Sequence, residues 1–380
     1  MAEGLASHMI WTGIPCNGVA LQMKEGLSAR TSTPISQASS IKRRKTYQNH
    51  PKFQPRGQDD DQGAGGGGKQ WHVKDNTTRS FPYGLPSPPS SYYTFIHATT
   101  PLGYISPRVF DKITWDPSIW TINRTSRTVE LRGHDVTERD RALASFLAGL
   151  RERRAFGVLE GWRGESYPVY SYNRESGKKE VIMSMERAAT PLFGVATYGV
   201  HMTAYTYPKD GEAGMKIWIP RRAMTKQTYP GMLDNTVAGG IATGEKVMDC
   251  LIREASEEAS LSEDLVRGNA RPCGTVTYFY VRDERAGGET GLCQPECEYV
   301  YDLELPVDVV PVPGDDEAVD FRLLNVEEVK TALNAGQFKP NCALVLLDFF
   351  VRHGVLRPEN EPDYIEIVSR LHRRLEFPTA

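Results

Sequence analysis

No apolar run in this chain approaches the roughly 20 residues that a membrane-crossing helix needs, so no membrane partner is expected. Cysteine is scarce as well. The six residues Cys16, Cys250, Cys273, Cys293, Cys297 and Cys342 lack the density of a disulfide framework and fit a reducing compartment. Cys293 and Cys297 have no second Cys/His pair to complete a zinc set, so free thiols beside a strand are expected. Neither sign of charge is in large excess. With 45 Lys+Arg against 48 Asp+Glu the net charge is -3, which argues against a nucleic-acid-binding surface. Residues 9–23 are mildly apolar, but no positive charge precedes them and Asn17 interrupts them, so a secretory signal is not expected. A cytoplasmic location follows as the expectation.

What is present divides the chain unevenly. Residues 24–70 are rich in Ser, Thr, Gln and Gly, with a basic knot at Lys42, Arg43, Arg44 and Lys45 and the run GAGGGG. Such a segment cannot bury enough apolar surface to offset its ordering entropy. Residues 1–78 are therefore expected to be a disordered tail, whose basic knot leaves a nuclear or mitochondrial address open. A chain of 380 residues leaves room for two compact units beyond that tail.

The first unit, expected over 79–190, mixes short strands and turns with one amphipathic helix in TERDRALASFLAGLRERRAF, where Ala144, Leu147 and Leu150 mark the apolar stripe and Thr137 the N-cap. It carries no catalytic constellation. An accessory α+β domain that shapes or covers a neighbouring site is the expectation. Its aromatic and polar group Trp162, Glu165, Tyr167 and Tyr170 is a candidate surface for a flat or cationic ring.

The second unit, expected over 191–357, alternates strands and helices. VHMTAYTY, MKIWIP, GTVTYFYV, CEYVYDLEL and DFRLLN read as strands. The stretch RRAMTKQTYPGMLDNTVAGG reads as a long shaped loop. Helices are expected in VEEVKTALNAG and NCALVLLDFFVRHG, with Gly336 and Gly354 as stops. A last helix, in residues 358–380, is expected to pack on this domain. The pattern implies an α/β sandwich with a mixed sheet.

The chemistry concentrates in GGIATGEKVMDCLIREASEE, residues 239–258. At about 100° per residue, Glu254, Glu257 and Glu258 share an arc of roughly 100°. They border the stripe of Met248, Leu251, Ile252, Ala255 and Ala259 that would pack on a sheet. Arg253 stands beside Glu257 at i,i+4 spacing. Carboxylates clustered against a core are costly without a cation, and oxygen ligands of this kind suit Mg²⁺ or Mn²⁺.

Gly239, Glu245, Arg253, Glu254, Glu257 and Glu258 carry the spacing of the Nudix box. Chance would place those six residues somewhere in a chain of this length with a probability on the order of 10⁻⁵. The chain thus resembles the Nudix hydrolases. LFGVATYGVHMTAY, WIPRRAMTKQTYPGMLDNTVAGGIATGE and FKPNCALVLLDFFVRHG narrow the resemblance to proteins related to the N-terminal part of fungal thiamine pyrophosphokinase. Ala259 and Ser260 depart from the box, where glycine and an aliphatic residue are usual.

The resemblance implies a Nudix α/β/α sandwich and metal-dependent cleavage of a small-molecule diphosphate, most specifically thiamine diphosphate or its oxidised forms, to the monophosphate. It implies Glu254, Glu257 and Glu258 as metal ligands, with the Gly239 carbonyl adding another, and Arg253 as their orienting partner. Glu245 falls on the opposite side of the helix and is expected to serve at its start. Glu317 is the preferred general base, with Glu296 and Glu298 as alternatives. Arg221, Arg222 and Lys226 are candidate phosphate binders. Two other readings stay open: a Nudix-fold isomerase of an isoprenoid diphosphate, which needs a cysteine as proton carrier, and a catalytically silent ligand-binding protein.

Overall fold

The computed structural model describes residues 90–173, 176–208 and 214–380. The expected tail over 1–78 lies outside them. The described chain opens with a four-stranded sheet built from β1 (Tyr93–His97), β2 (Thr100–Ile105), β3 (Trp120–Asn123) and β4 (Thr128–Leu131), in the order β2-β1-β4-β3. Between β2 and β3 the sequence suggested only strands and turns, yet α1 spans Pro107–Lys112. Ser106 caps it and Pro107 opens it, a position where a missing N–H costs nothing.

The cap of helix α2 (Val136–Glu152) lies two residues before the expected one: Asp135, not Thr137, accepts from the Glu138 amide. Its buried stripe is Leu143, Leu147 and Leu150, with Ala144 exposed. A hairpin of β5 (Ser166–Tyr172) and β6 (Lys179–Glu186) follows, then the short helix α3 (Thr190–Phe193).

The larger sheet joins β7 (Thr197–Thr206), β8 (Lys216–Arg222), β9 (Val237–Gly240), β10 (Arg271–Val281), β11 (Cys293–Glu304) and β12 (Ala318–Asn325). Its order is β10-β11-β7-β8-β12, with β9 also on β7. β11 runs parallel to β7 and the other pairs are antiparallel, so the sheet is mixed. β9 falls inside the stretch expected to be loop. Its four residues, two of them glycine, carry too little side-chain pattern to signal a strand.

β7 is buried along its whole length because both faces are covered. Val200, Met202 and Ala204 pack with Leu251, Ala255 and Ala259 of α4 (Val247–Ala259). On the other face Tyr205 packs with Val345, Phe349 and Phe350 of α7 (Pro340–Arg352). Full burial of Leu251 alone contributes about 1.5–3 kcal/mol, so the apolar edge of α4 is pinned to the sheet and its acidic edge is aimed. Helices α5 (Glu263–Asn269), α6 (Val326–Asn334) and α8 (Tyr364–Leu371) complete the layers. Gly336 and Gly354 adopt φ values of 65° and 67° just past α6 and α7, the left-handed turn that glycine makes without a Cβ penalty. Among the described residues no helix is long and apolar enough to cross a membrane.

Candidate active site

Helix α4 begins after a loop that approaches the first unit closely. The Thr243 amide donates to the Ser166 carbonyl of β5 at 2.8 Å. Gly240 lies under the Tyr167 ring: a Cβ there would stand 1.5 Å from the Tyr167 hydroxyl. The hairpin of the first unit therefore rests on the loop that leads into the acidic helix.

Arg253 organises that helix. Its Nη1 donates to Glu254 at 2.8 Å and to Glu257 at 3.2 Å, while Nε and Nη2 donate to the two oxygens of Glu245 at 2.9 and 3.2 Å. Glu245 also accepts from the Ala242 amide. Its contact with Arg253 spans eight residues through the loop, which a helical wheel cannot display. The box spacing itself was the signal that Glu245 belongs with the others.

The three helix carboxylates have different surroundings. The Glu257 side chain is 54% exposed, whereas that of Glu254 is 13% exposed. Glu258 accepts from the Ala238 amide at 2.9 Å. Burial pushes the Glu254 carboxyl up to about 7, against the pull of Arg253. Burial first, then Glu254 and Asp234, raise Glu258 well above the usual carboxylate range. Among the described residues no three His, Cys, Asp or Glu side chains are gathered as a metal cage.

The donors nevertheless fit a hard divalent cation. All are oxygens. Glu254 presses so closely on Gly239 that a Cβ there would stand 2.0 Å from its carboxyl carbon, which leaves the glycine backbone beside the carboxylate. Arg253 and Arg187 offset the charge of Glu254, and Arg222 acts on Glu258.

Beside Gly239 a cavity of about 390 Å³ opens between the two units. Tyr167 and Arg187 come from the first unit, and His201, Tyr278, Glu296 and Glu298 from the larger sheet. The Tyr278 hydroxyl lies 2.9 Å from Glu298 and also against Glu296, which accepts from Gln294 at 2.5 Å. His201 holds Asn235 at 2.7 Å through Nδ1 and faces Glu298 at 3.6 Å through Nε2. Burial and Glu298 raise the Glu296 pKa, whereas His201 overcomes burial to lower that of Glu298. The inner wall thus combines aromatic rings with two buried carboxyls whose pKa values are pushed in opposite directions.

The other candidate residues stand apart from this cavity. Arg221 donates to the Gly231 carbonyl, and Arg222 to Asp234 and the carbonyls of Thr228 and Tyr229. Lys226 meets Glu317 at 2.5 Å, and Arg163 meets the same carboxylate at 3.4 Å. Burial would raise the Glu317 pKa, but Lys226 and Arg163 hold it below the usual range. Glu317, Arg222, Asp234 and Glu258 share a small crevice on this side of the helix.

Of the aromatic group in the first unit, Tyr167 faces the cavity and Tyr170 meets Tyr198 edge-on at 5.4 Å. Trp162 packs on the first unit's own core beneath Arg151. Among the described residues no cysteine lines the cavity. Cys250 is buried in α4, with its thiol against the Gly240 carbonyl.

Comparison with known proteins agrees with this architecture. Residues 198–343 match the NUDIX domain and residues 87–197 match "Domain of unknown function (DUF4743)". An uncharacterized protein of Saccharomyces cerevisiae is 34% identical over 298 residues, covering 76% of this chain and 85% of its own. Nudix hydrolase 20, chloroplastic, of Arabidopsis thaliana is 35% identical over 283 residues, covering 72% of this chain and 71% of its own. An isopentenyl-diphosphate Delta-isomerase of Cereibacter sphaeroides is 29% identical over only 130 residues, 34% of this chain and 66% of its own. With the acidic helix, the mixed sheet and relatives of this extent in agreement, the chain belongs to the Nudix hydrolase family, whose members cleave diphosphate bonds.

Proposed function

We propose that this enzyme hydrolyses thiamine diphosphate, or an oxidised derivative of it, to the monophosphate and phosphate. The observation that carries the reading is the cavity beside Gly239, walled by Tyr167 and Tyr278 and by the carboxyls of Glu296 and Glu298. Aromatic faces suit a flat or cationic heterocycle, and the carboxyls offer acceptors to an amino group. The diphosphate would then extend past Gly239 toward the acidic helix.

Glu254, Glu257 and Glu258, with the Gly239 carbonyl, would hold Mg²⁺ or Mn²⁺, and Arg253 orients Glu254 and Glu257. Such a cation would screen the charge of the diphosphate and make a neighbouring water more acidic. Glu317 takes the proton from that water. Its carboxylate is an anion at neutral pH, and it shares a crevice with Glu258. Arg222, on the same crevice, fixes Asp234 rather than phosphate in this arrangement.

The cysteine environment weighs against the isomerase reading. Burial pushes the Cys293 and Cys297 thiols up to about 12, and among the described residues no cysteine reaches the cavity wall to carry a proton. A panel of organic diphosphates with Mg²⁺, scored for monophosphate and phosphate, tests the proposal. Thiamine-type diphosphates should be turned over fastest. Release from other diphosphates but not these would remove the thiamine assignment. Rearranged product without phosphate would indicate the isomerase.

A further inference from the structure

Besides His201, which faces Glu298, the arginines and lysines that line the cavity are Arg163, Arg187, Arg282 and Lys339. Arg163 is drawn to Glu317. Arg282 is tied to the carbonyls of Ala286 and Gly287 and to Gln294. Lys339 acts on Asp234, Glu296 and Glu298, toward the opposite wall. Arg187 differs. Its guanidinium meets Glu165 through Nη1 at 3.0 Å, lies 5.5 Å from the Tyr167 ring centre and stays 37% exposed. It also lies close enough to Glu254 for the two charges to act on each other.

From this placement we infer that Arg187, a residue of the unit before the Nudix domain, binds the phosphate that remains on the organic product. The inference rests on the hydrolase reading given above. A diphosphate whose organic group fills the cavity and whose far phosphate meets the acidic helix must carry its near phosphate past Tyr167 and Gly240. Arg187 is the cation at that passage. Its planar fork can serve an oxyanion while Nη1 keeps Glu165, and the Tyr167 face beneath it limits its rotamers. The first unit therefore completes the substrate site as well as walling it.

Arg187→Lys and Arg187→Gln, compared with Glu165→Gln, test the inference on the full chain. The substrate is the diphosphate turned over best by the wild type. Loss of one charge-assisted contact should raise KM roughly 10- to 100-fold in Arg187→Gln, less in Arg187→Lys, with the Mg²⁺ concentration for half-maximal rate unchanged. Glu165→Gln should raise KM by less than Arg187→Gln, because the guanidinium remains and only its positioning partner is weakened. Calorimetry without metal should show the monophosphate product binding Arg187→Gln more weakly by a similar factor. Unchanged KM and unchanged product affinity in a folded Arg187→Lys protein would overturn the assignment. So would a shifted Mg²⁺ requirement with constant KM, which would make Arg187 a counter-ion of Glu254. If Arg187→Gln melts early, Arg187→Lys and Glu165→Gln still decide: equal damage from both would assign Arg187 a structural role. Absence of diphosphate turnover by the wild type would instead refute the hydrolase reading.

Discussion

At the scale of single residues, Glu317 separates geometry from chemistry. It lies beside the acidic helix, yet two cations hold its pKa down, and a weaker base removes a proton less readily. Catalysis through it therefore requires Lys226 or Arg163 to loosen as substrate arrives. Glu317→Gln should lower kcat by about 10²–10⁴, the range for loss of a general base, with KM and the Mg²⁺ requirement nearly unchanged. A kcat within a factor of three of wild type would move the role to Glu298 or Glu296, the carboxyls beside Tyr278. Residue identity was legible for the acidic helix because Glu245, Arg253, Glu254, Glu257 and Glu258 sit within one loop and one helix, where spacing determines proximity. It was not legible for Arg187. That residue reaches the site only because a hairpin far earlier in sequence folds onto Gly240.

At the scale of elements, strands β7 and β11 bring together a buried diagonal pair, His201 and Glu298, at 3.6 Å. Burial opposes the imidazolium, but Glu298 overcomes it and raises the His201 pKa well above its usual value of 6.5. Glu298 is lowered from 4.5. The signs follow from linkage. A raised histidine gives stability that is complete below 6.5 and fades as pH rises through its folded value. A lowered carboxylate gives stability that is complete above 4.5 and fades as pH falls through its folded value. The pair is therefore strongest between about 4.5 and 6.5. His201→Gln should remove the decline in stability on the alkaline side of that window, measured as melting temperature against pH relative to wild type. Parallel curves for the two proteins would show that the pair does not titrate on unfolding.

The long elements were readable in advance because β-branched and aromatic residues recur through β7, β10 and β11 and an apolar helical repeat runs through α7. β9 and α1 were missed because four and six residues give no such repeat.

At the scale of the molecule, the first unit is part of the site. Its hairpin supplies the Ser166 carbonyl to the loop before α4 and Tyr167 over Gly240, and the segment before the hairpin supplies Arg163 to Glu317. The sequence suggested a domain that shapes or covers a neighbour, but which face it covers depends on packing between segments that no local pattern relates. The stability of the whole fold is likewise tied to the acidic helix. Glu254 and Glu258 are buried with pKa values raised chiefly by that burial, so a bound divalent cation should stabilise the native chain, increasingly as its concentration rises above its dissociation constant.

The most direct measurement follows both kcat and melting temperature of Glu258→Gln with and without Mg²⁺. The amide keeps the shape and removes one ligand charge. The account predicts that kcat falls by at least about two orders of magnitude, as several kcal/mol of charge stabilisation are lost. Melting without metal should be unchanged or slightly raised, and the wild-type gain on adding Mg²⁺ should shrink or vanish. An active Glu258→Gln enzyme whose melting ignores Mg²⁺ would contradict the metal assignment and the mechanism built on it.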